Sequence, residues 1–279
     1  MAQHTEGTLT AFDGITIFHQ AWLPDSDPIA VVMLIHGLGE HSGRYAHVAD
    51  ALTDAGIAVH ALDHRGHGKS DGKRTFVKSY DEFMKDLVQF RAHVEAQHPG
   101  LPLILLGHSM GGNLAVGHTL DHQAGITGLA LSGAALQVGS DLSPGKLKMF
   151  RLIAKVAPSF RPEGLSAKAI SRDPAVVSAY QNDPLVFTGK ISAGLGAALI
   201  GAIERFPARY GELTLPILVM HGTDDQLASV KGSRALEAAA VNADVNAHYY
   251  EGLYHEIFNE PEQDRVLADL VSWIRSVVQ

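Results

Sequence analysis

The stretch Leu103-Ile-Leu-Leu-Gly-His-Ser-Met-Gly-Gly112 decides the fold. Four apolar residues in a row read as a buried strand, and Gly107-His108-Ser109-Met110-Gly111 matches G-x-S-x-G, a strained strand-to-helix elbow that projects a serine hydroxyl. The small residues two before and two after Ser109 let strand and helix approach closely. Ser109 is therefore the expected nucleophile. The Met110 amide follows it at a helix N-terminus, where unpaired N–H groups favour an anion.

Outward from the elbow the same rhythm repeats. Ala30 to Ile35, Ile57 to Leu62, Ile126 to Leu131 and Ile217 to Met220 are further unbroken apolar runs, most of them followed by amphipathic stretches. Those stretches place helices at about Tyr45 to Ala55, Tyr80 to Gln97, Met110 to His122, Val230 to Ala240 and Pro261 to Val278. Continuous apolar strands alternating with helices imply a mostly parallel sheet covered on both faces, an α/β class. Gly7 to Leu23 alternates around Asp13-Gly14 and reads as an antiparallel hairpin. Between Gly133 and Pro216 the rhythm breaks into helical patches with several Pro and Gly, which reads as an inserted helical cap. The expected organisation is a core in two parts, 1–135 and 211–279, with the cap at 136–210.

Composition narrows the chemistry. The 279 residues include no Cys, so the nucleophile must be an oxygen or nitrogen and no thiolate metal site exists. The 22 Lys and Arg stand against 30 Asp and Glu, and this acidic balance without a basic block argues against nucleic acid as a partner. No apolar run reaches the ~18 residues of a spanning helix, and Met1 to Gly14 lacks the pattern of a signal peptide, so the expectation is a cytoplasmic protein.

A serine needs a base, because its hydroxyl is not ionised at neutral pH. Position selects His255 among 16 histidines, since it follows the short strand His248 to Tyr250 and the turn at Gly252, late in the chain as this elbow type requires. With the reference imidazole pKa of ~6.5, activity should fall tenfold per unit below about pH 6. The acid must lie between serine and base, and His221-Gly-Thr-Asp-Asp225 ends the strand before it. Composition alone does not separate Asp224 from Asp225; the other would serve as an Asx-type loop cap. The loop His36-Gly-Leu-Gly-Glu-His41 makes the Leu38 amide the natural second oxyanion donor. Glu40 and Arg44 are spaced either for an ion pair holding that loop or for a solvated surface pair. His36, His108 and His221 read as loop-holding residues; His4, His47, His93, His98 and His122 read as surface residues.

Histidine is abundant enough to raise a metal site, with His118, Asp121 and His122 on one helix and His60, Asp63, His64 and His67 near one loop. The H-x-H-x-D-H pattern of metal-dependent lactone hydrolases would need histidines where Val59 and Ala61 stand. No metal and no cofactor is expected.

The blocks His36-Gly-Leu-Gly-Glu-His-Ser-Gly-Arg-Tyr45, Asp63-His-Arg-Gly-His-Gly-Lys-Ser-Asp-Gly72, Gly107 to Gly112, His221 to Asp225 and Gly252-Leu-Tyr-His-Glu256, in this order, resemble the monoacylglycerol lipases of the α/β-hydrolase superfamily, most strongly the bacterial branch. Ile170-Ser-Arg-Asp-Pro174 and Asp183-Pro-Leu185 in the cap look like that branch too. The resemblance implies Ser109 as nucleophile, Asp225 rather than Asp224 as acid, His255 as base, and oxyanion amides at Leu38 and Met110. Its implied substrate is monoacylglycerol; carboxylesterase, lysophospholipase and thioesterase are rivals with the same triad. No glycerol-binding side chain of the cap is carried over.

The cap itself offers two expectations. Near Gly145 to Ala157 a helix should place Lys148, Arg151 and Lys155 on one stripe with Met149, Phe150, Ile153 and Val156 opposite, either covering the core or resting on an anionic lipid surface together with Lys146. The apolar patch Ile191 to Ile203 should wall an acyl channel or else simply pack against its neighbours.

Overall fold

A computed structural model describes residues 3–137, 144–164 and 166–279. Its eight-stranded sheet runs in the order β1 (Gln3–Thr10), β2 (Thr16–Leu23), β4 (Ile57–Leu62), β3 (Ala30–Ile35), β5 (Leu103–His108), β6 (Gly128–Ser132), β9 (Ile217–Gly222), β10 (Val245–Tyr250). The pairs β1–β2 and β2–β4 are antiparallel, and every pair from β4 to β10 is parallel.

Side-chain alternation explains why the apolar runs are unbroken. In β3, Val31, Met33 and Ile35 enter one core while Ala30, Val32 and Leu34 enter the other. The first core packs against α2 (Tyr80–Gln97) and α3 (Met110–His122) through Phe83, Leu87, Phe90 and Leu114. The second packs against α1 (Ala46–Asp54) and α8 (Gln263–Val278) through Leu52, Leu270 and Trp273. Strands buried on both faces have no polar side to show, which is the pattern of a doubly covered sheet. The α/β-hydrolase architecture expected from the sequence is the one observed.

Strand order also locates the site. From β3 the chain steps outward to β4, returns to β5 beside β3, and then proceeds through β6 the other way. The loops leaving β3 and β5 therefore face one crevice at the carboxyl edge, the place where such sheets bind ligands.

Between β6 and β9 lies the helical insertion, with α4 (Pro144–Val156), α5 (Pro174–Asn182) and α6 (Ala193–Arg205). It also holds a two-residue ladder that the sequence did not announce, β7 (Glu163–Gly164) against β8 (Lys190–Ile191). After β9 come α7 (Val230–Ala239) and β10.

Strand β10 starts at Val245 rather than His248, β6 spans Gly128–Ser132 rather than Ile126 to Leu131, and two further differences have a visible cause. The last helix begins at Gln263 instead of Pro261, because the Glu260 carbonyl accepts the Gln263 N–H in a preceding turn. In α4, Val156 is not opposite the basic stripe: it is 77% exposed, as is Leu152 at 63%, while Phe150 and Ile153 are half-buried. Packing against α6 explains the rotation, since a Cβ on Gly196 of that helix would strike the Phe150 ring at 2.8 Å. The side chains of Lys146 and Met149 lie outside those described.

Candidate active site

Ser109 occupies a backbone conformation that few residues adopt, φ 53° and ψ −117°. Close packing forces it. A Cβ on Gly107 would meet the Gly111 carbonyl oxygen at 2.5 Å, and one on Gly111 would meet the Ile35 carbonyl oxygen at 1.9 Å. The elbow is therefore wedged between β3 and α3, and only glycine admits that approach. Ser109 N–H donates to the Ser132 carbonyl, which ties the turn to β6.

Ser109 lines a cavity with Gly37, Leu38, Glu40, His108 and His255. Gly37 lies against it, since a Cβ there would come within 3.2 Å of the Ser109 Cβ. Leu38 thus sits on the cavity wall, and Met110 opens α3 directly behind the serine. Helix geometry leaves the first N–H groups of α3 without intrahelical partners, aimed at the crevice.

His255 Nδ1–H donates to Asp225 Oδ2 at 2.7 Å, with both side chains buried. The other oxygen, Oδ1, accepts the Leu227 and Ala228 N–H groups at 2.8 and 2.9 Å. Asp225 thus takes the Asx-type role that the sequence left to its neighbour. Asp224 is exposed, and its carboxylate meets Thr223 Oγ1 at 3.4 Å. Burial alone would push the Asp225 carboxyl up, but the His255 charge and the hydrogen bonds from His221 and His255 hold it well below the usual range. Burial likewise opposes charge on His255, yet Asp225, with Glu256 and Glu40 nearby, holds its imidazole above the ordinary value of 6.5.

That shift moves the pH expectation upward. A base must be neutral, and a raised pKa keeps His255 protonated to higher pH. The acid limb of kcat/KM is therefore expected with its midpoint above pH 6.5, falling tenfold per unit below it. Rates on a water-soluble ester between pH 4 and 9 check this; a flat profile would contradict a histidine base.

Glu40 and Arg44 form no solvated surface pair. Glu40 Oε1 accepts the Gly37 N–H and the Tyr45 hydroxyl, each at 2.6 Å, while Oε2 accepts Arg44 Nη1 at 2.6 Å. Arg44 also makes a two-pronged pair with Glu256, both distances 2.7 Å, and its guanidinium lies over the Tyr180 ring. These groups are mutually dependent: removing one partner of a buried ion pair costs on the order of 3–5 kcal/mol, because the others are left unpaired. The network joins the loop after β3 to the loop bearing His255.

The cap contributes Ser166, Ala167, Ile170 and Tyr180 to the cavity wall. A second cavity shares Leu38 and Tyr180 and is lined further by Phe187 and Ile191. Ile191 is the one residue of the Ile191–Ile203 patch on that wall, and Ala193, Leu195, Ile200 and Ala202 are buried in packing. Cap and core are stitched on two sides. The Glu256 N–H donates to Ile170 O at 2.7 Å, and the fully buried Glu260 carboxylate accepts Arg172 Nε at 2.8 Å and the Tyr254 N–H at 3.0 Å. Opposite, Phe187 N–H donates to Gly39 O at 2.7 Å, and His41 Nε2 meets Asp183 Oδ2 at 2.9 Å.

Other histidines behave as fold elements. His36 Nδ1–H donates to Gly37 O, and His36 Nε2 accepts the His64 N–H, which props the oxyanion loop. His108 packs its ring 4.7 Å from that of His255, and burial first, then the His255 charge, pushes it down to about 4. His98 departs from the surface reading, since its Nε2 meets buried His60 Nε2 at 2.8 Å. Among the described residues, no group of three or more His, Cys, Asp or Glu is placed to hold a metal ion. No helix among them is long and apolar enough to cross a membrane.

Sequence reasoning missed Glu256, Tyr180 and Ile170. An acid directly after the base was a visible signal for the first. The cap residues had none, because nothing local marks which of them reach the cavity.

Comparison with known proteins adds four findings. The family model described as serine aminopeptidase, S33 matches residues 26–262. A monoacylglycerol lipase of Mycolicibacterium smegmatis is 44% identical over 98% of this chain and 97% of its own length. Among solved structures, a Paleococcus ferrophilus monoacylglycerol lipase superposes with a TM-score of 0.82 at 29% identity, covering 99% of each chain. A thermostable carboxyl esterase from Bacillus coagulans, solved with glycerol, superposes at 0.87 with 25% identity over the full length of both.

Proposed function

From the premise that this chain belongs to the monoacylglycerol-lipase-like family of α/β-hydrolases, we propose that it cleaves monoacylglycerol to fatty acid and glycerol through an acyl-enzyme on Ser109. His255 takes the serine proton as the oxygen attacks the ester carbonyl, and Asp225 stabilises the resulting imidazolium. Leu38 and Met110 amides receive the oxyanion. Glycerol leaves with the proton from His255, and a water activated by the same ring releases the fatty acid.

One observation carries the substrate reading: the cavity wall beside Ser109 combines carboxylates with hydroxyls. Glu40, Glu256, Ser166 and Tyr180 line it together with apolar Leu38, Ile170 and Leu227. A polyol can meet the Ser166 and Tyr180 hydroxyls there, while the two carboxylates, already held by Arg44, Tyr45 and the Gly37 N–H, contribute charge. Two carboxylates against one Arg44 leave the wall negative, so a phosphate-bearing head group, as in lysophospholipids, meets repulsion. The acyl chain passes over Leu38 toward the second cavity. Profiling monoacylglycerols, nitrophenyl esters, lysophospholipids and acyl-thioesters side by side tests this: the highest kcat/KM is expected on monoacylglycerol, and a higher value on lysophospholipid would overturn it.

Such a substrate sits in membranes, and α4 offers a face to reach it. Leu152 and Val156 are exposed one turn apart, flanked by exposed Lys148 and Lys155. Arg151 instead pairs with Glu204 on α6. Each basic residue near an anionic surface contributes ~1 kcal/mol, so Lys148→Gln with Lys155→Gln is expected to weaken co-sedimentation with anionic vesicles by roughly thirtyfold. Hydrolysis of a water-soluble short ester should be unchanged. Equal vesicle binding at low salt would leave α4 only its packing role.

A further inference from the structure

We propose that His221 is a positioning residue of the triad, its Nε2–H holding the Asp225 carboxylate in place for His255. This rests on the triad assignment above and goes beyond it. His221 is the penultimate residue of β9, four residues before Asp225, and both side chains are fully buried. Its Nε2 lies 3.1 Å from Asp225 Oδ2 and 3.0 Å from the Ala228 carbonyl oxygen. Neither oxygen has a proton to give, so the ring proton must be on Nε2. Nδ1 faces Ser233 Oγ of α7 at 2.8 Å, and that hydroxyl donates to it. Ser233 thereby selects the tautomer, and the tautomer supplies the donor.

The result is one carboxylate oxygen held between two imidazoles. Oδ2 meets His255 Nδ1 at 2.7 Å from one side and His221 Nε2 from the other, while Oδ1 is held by the Leu227 and Ala228 N–H groups. With donors on both oxygens, the carboxylate plane is fixed from its own strand. The base stands on the loop after β10, a separate part of the chain from the loop that holds the acid.

A second effect follows from charge. Each donor on Oδ2 draws electron density from the oxygen that stabilises the His255 cation. Removing the His221 donor therefore strengthens the hold of Asp225 on that cation and moves the acid limb of reactivity to higher pH. The other charged groups facing His255 are Glu256 and Glu40, and His108 packs beside it; His221 acts through Asp225.

Two measurements test this. In ¹⁵N-histidine NMR of the wild-type protein at pH 8, the His221 resonances, assigned by their loss in His221→Gln, are expected to show a proton-bearing Nε2 and a bare Nδ1. The opposite tautomer would overturn the proposal without recourse to any other variant. The second is the pH dependence of Ser109 labelling by a fluorophosphonate. His221→Leu is expected to raise the midpoint by about half a unit to one unit, and His221→Gln, whose amide N–H can reach the same oxygen, to restore it. A folded Leu variant that labels slowly with an unchanged midpoint would reduce His221 to packing. Failure of the triad assignment looks different: Ser109 would go unlabelled in the wild type, or His255→Ala would label at the wild-type rate.

Discussion

Ser109→Ala is expected to lower kcat by roughly 10⁴- to 10⁶-fold with the fold intact, as loss of a triad serine does in well-studied hydrolases. On the proposed mechanism the substitution removes the attacking oxygen and little else. Alanine keeps the Cβ, so it meets the same backbone cost at φ 53°, and the glycines that wedge the elbow between β3 and α3 are untouched. The hydrogen bonds that fix the turn run through the backbone of residue 109, to the Ser132 carbonyl and from the Asn113 and Ala135 N–H groups. Thermal unfolding should therefore be close to that of the wild type. What activity is left comes from binding and the oxyanion amides. A fluorophosphonate should label Ser109 in the wild type and nothing in the variant; full turnover by the variant, or label on another serine, would sink the mechanism.

Asp225→Asn should cost about 10⁴-fold, the scale seen when a triad aspartate becomes an amide. Geometry shows why. If the amide oxygen keeps the two N–H groups of Leu227 and Ala228, the new NH₂ faces His255 Nδ1 and His221 Nε2, both of which are donors. His255 escapes by moving its proton to Nε2, and Nε2 is then unable to accept from serine. Asp224→Asn is expected to change kcat/KM by less than about threefold, the small effect of an exposed substitution. Steady-state rates on one soluble ester separate the two. A severe Asp224 variant beside a mild Asp225 variant would place the acid one residue earlier.

The contrast between these neighbours shows what the sequence carries and what it does not. Unbroken apolar runs determine which segments are doubly buried strands, and the elbow announces itself because only glycine fits at Gly107 and Gly111. Those are local constraints, so they are legible. Adjacent aspartates on one loop have identical local chemistry, and only the direction of each side chain separates them. Asp225 turns inward because two backbone N–H groups and two imidazoles await it there. Val156 was misplaced for a related reason: an amphipathic pattern gives a stripe, and the neighbouring helix decides which way it faces. Likewise Glu256 was recognisable as the residue after the base, while its partner Arg44 lies 212 positions away.

The stitching of cap to core constrains how molecules come and go. Ile170 and Arg172 are bonded to the same loop that carries His255, through the Glu256 N–H and the buried Glu260 carboxylate, and Phe187 is bonded to the loop that carries Leu38. Lifting the roof as a rigid piece would break these bonds and displace the base and the oxyanion loop together. The position of the roof and the geometry of the triad are thus one coupled property: whatever shifts the first also shifts the second.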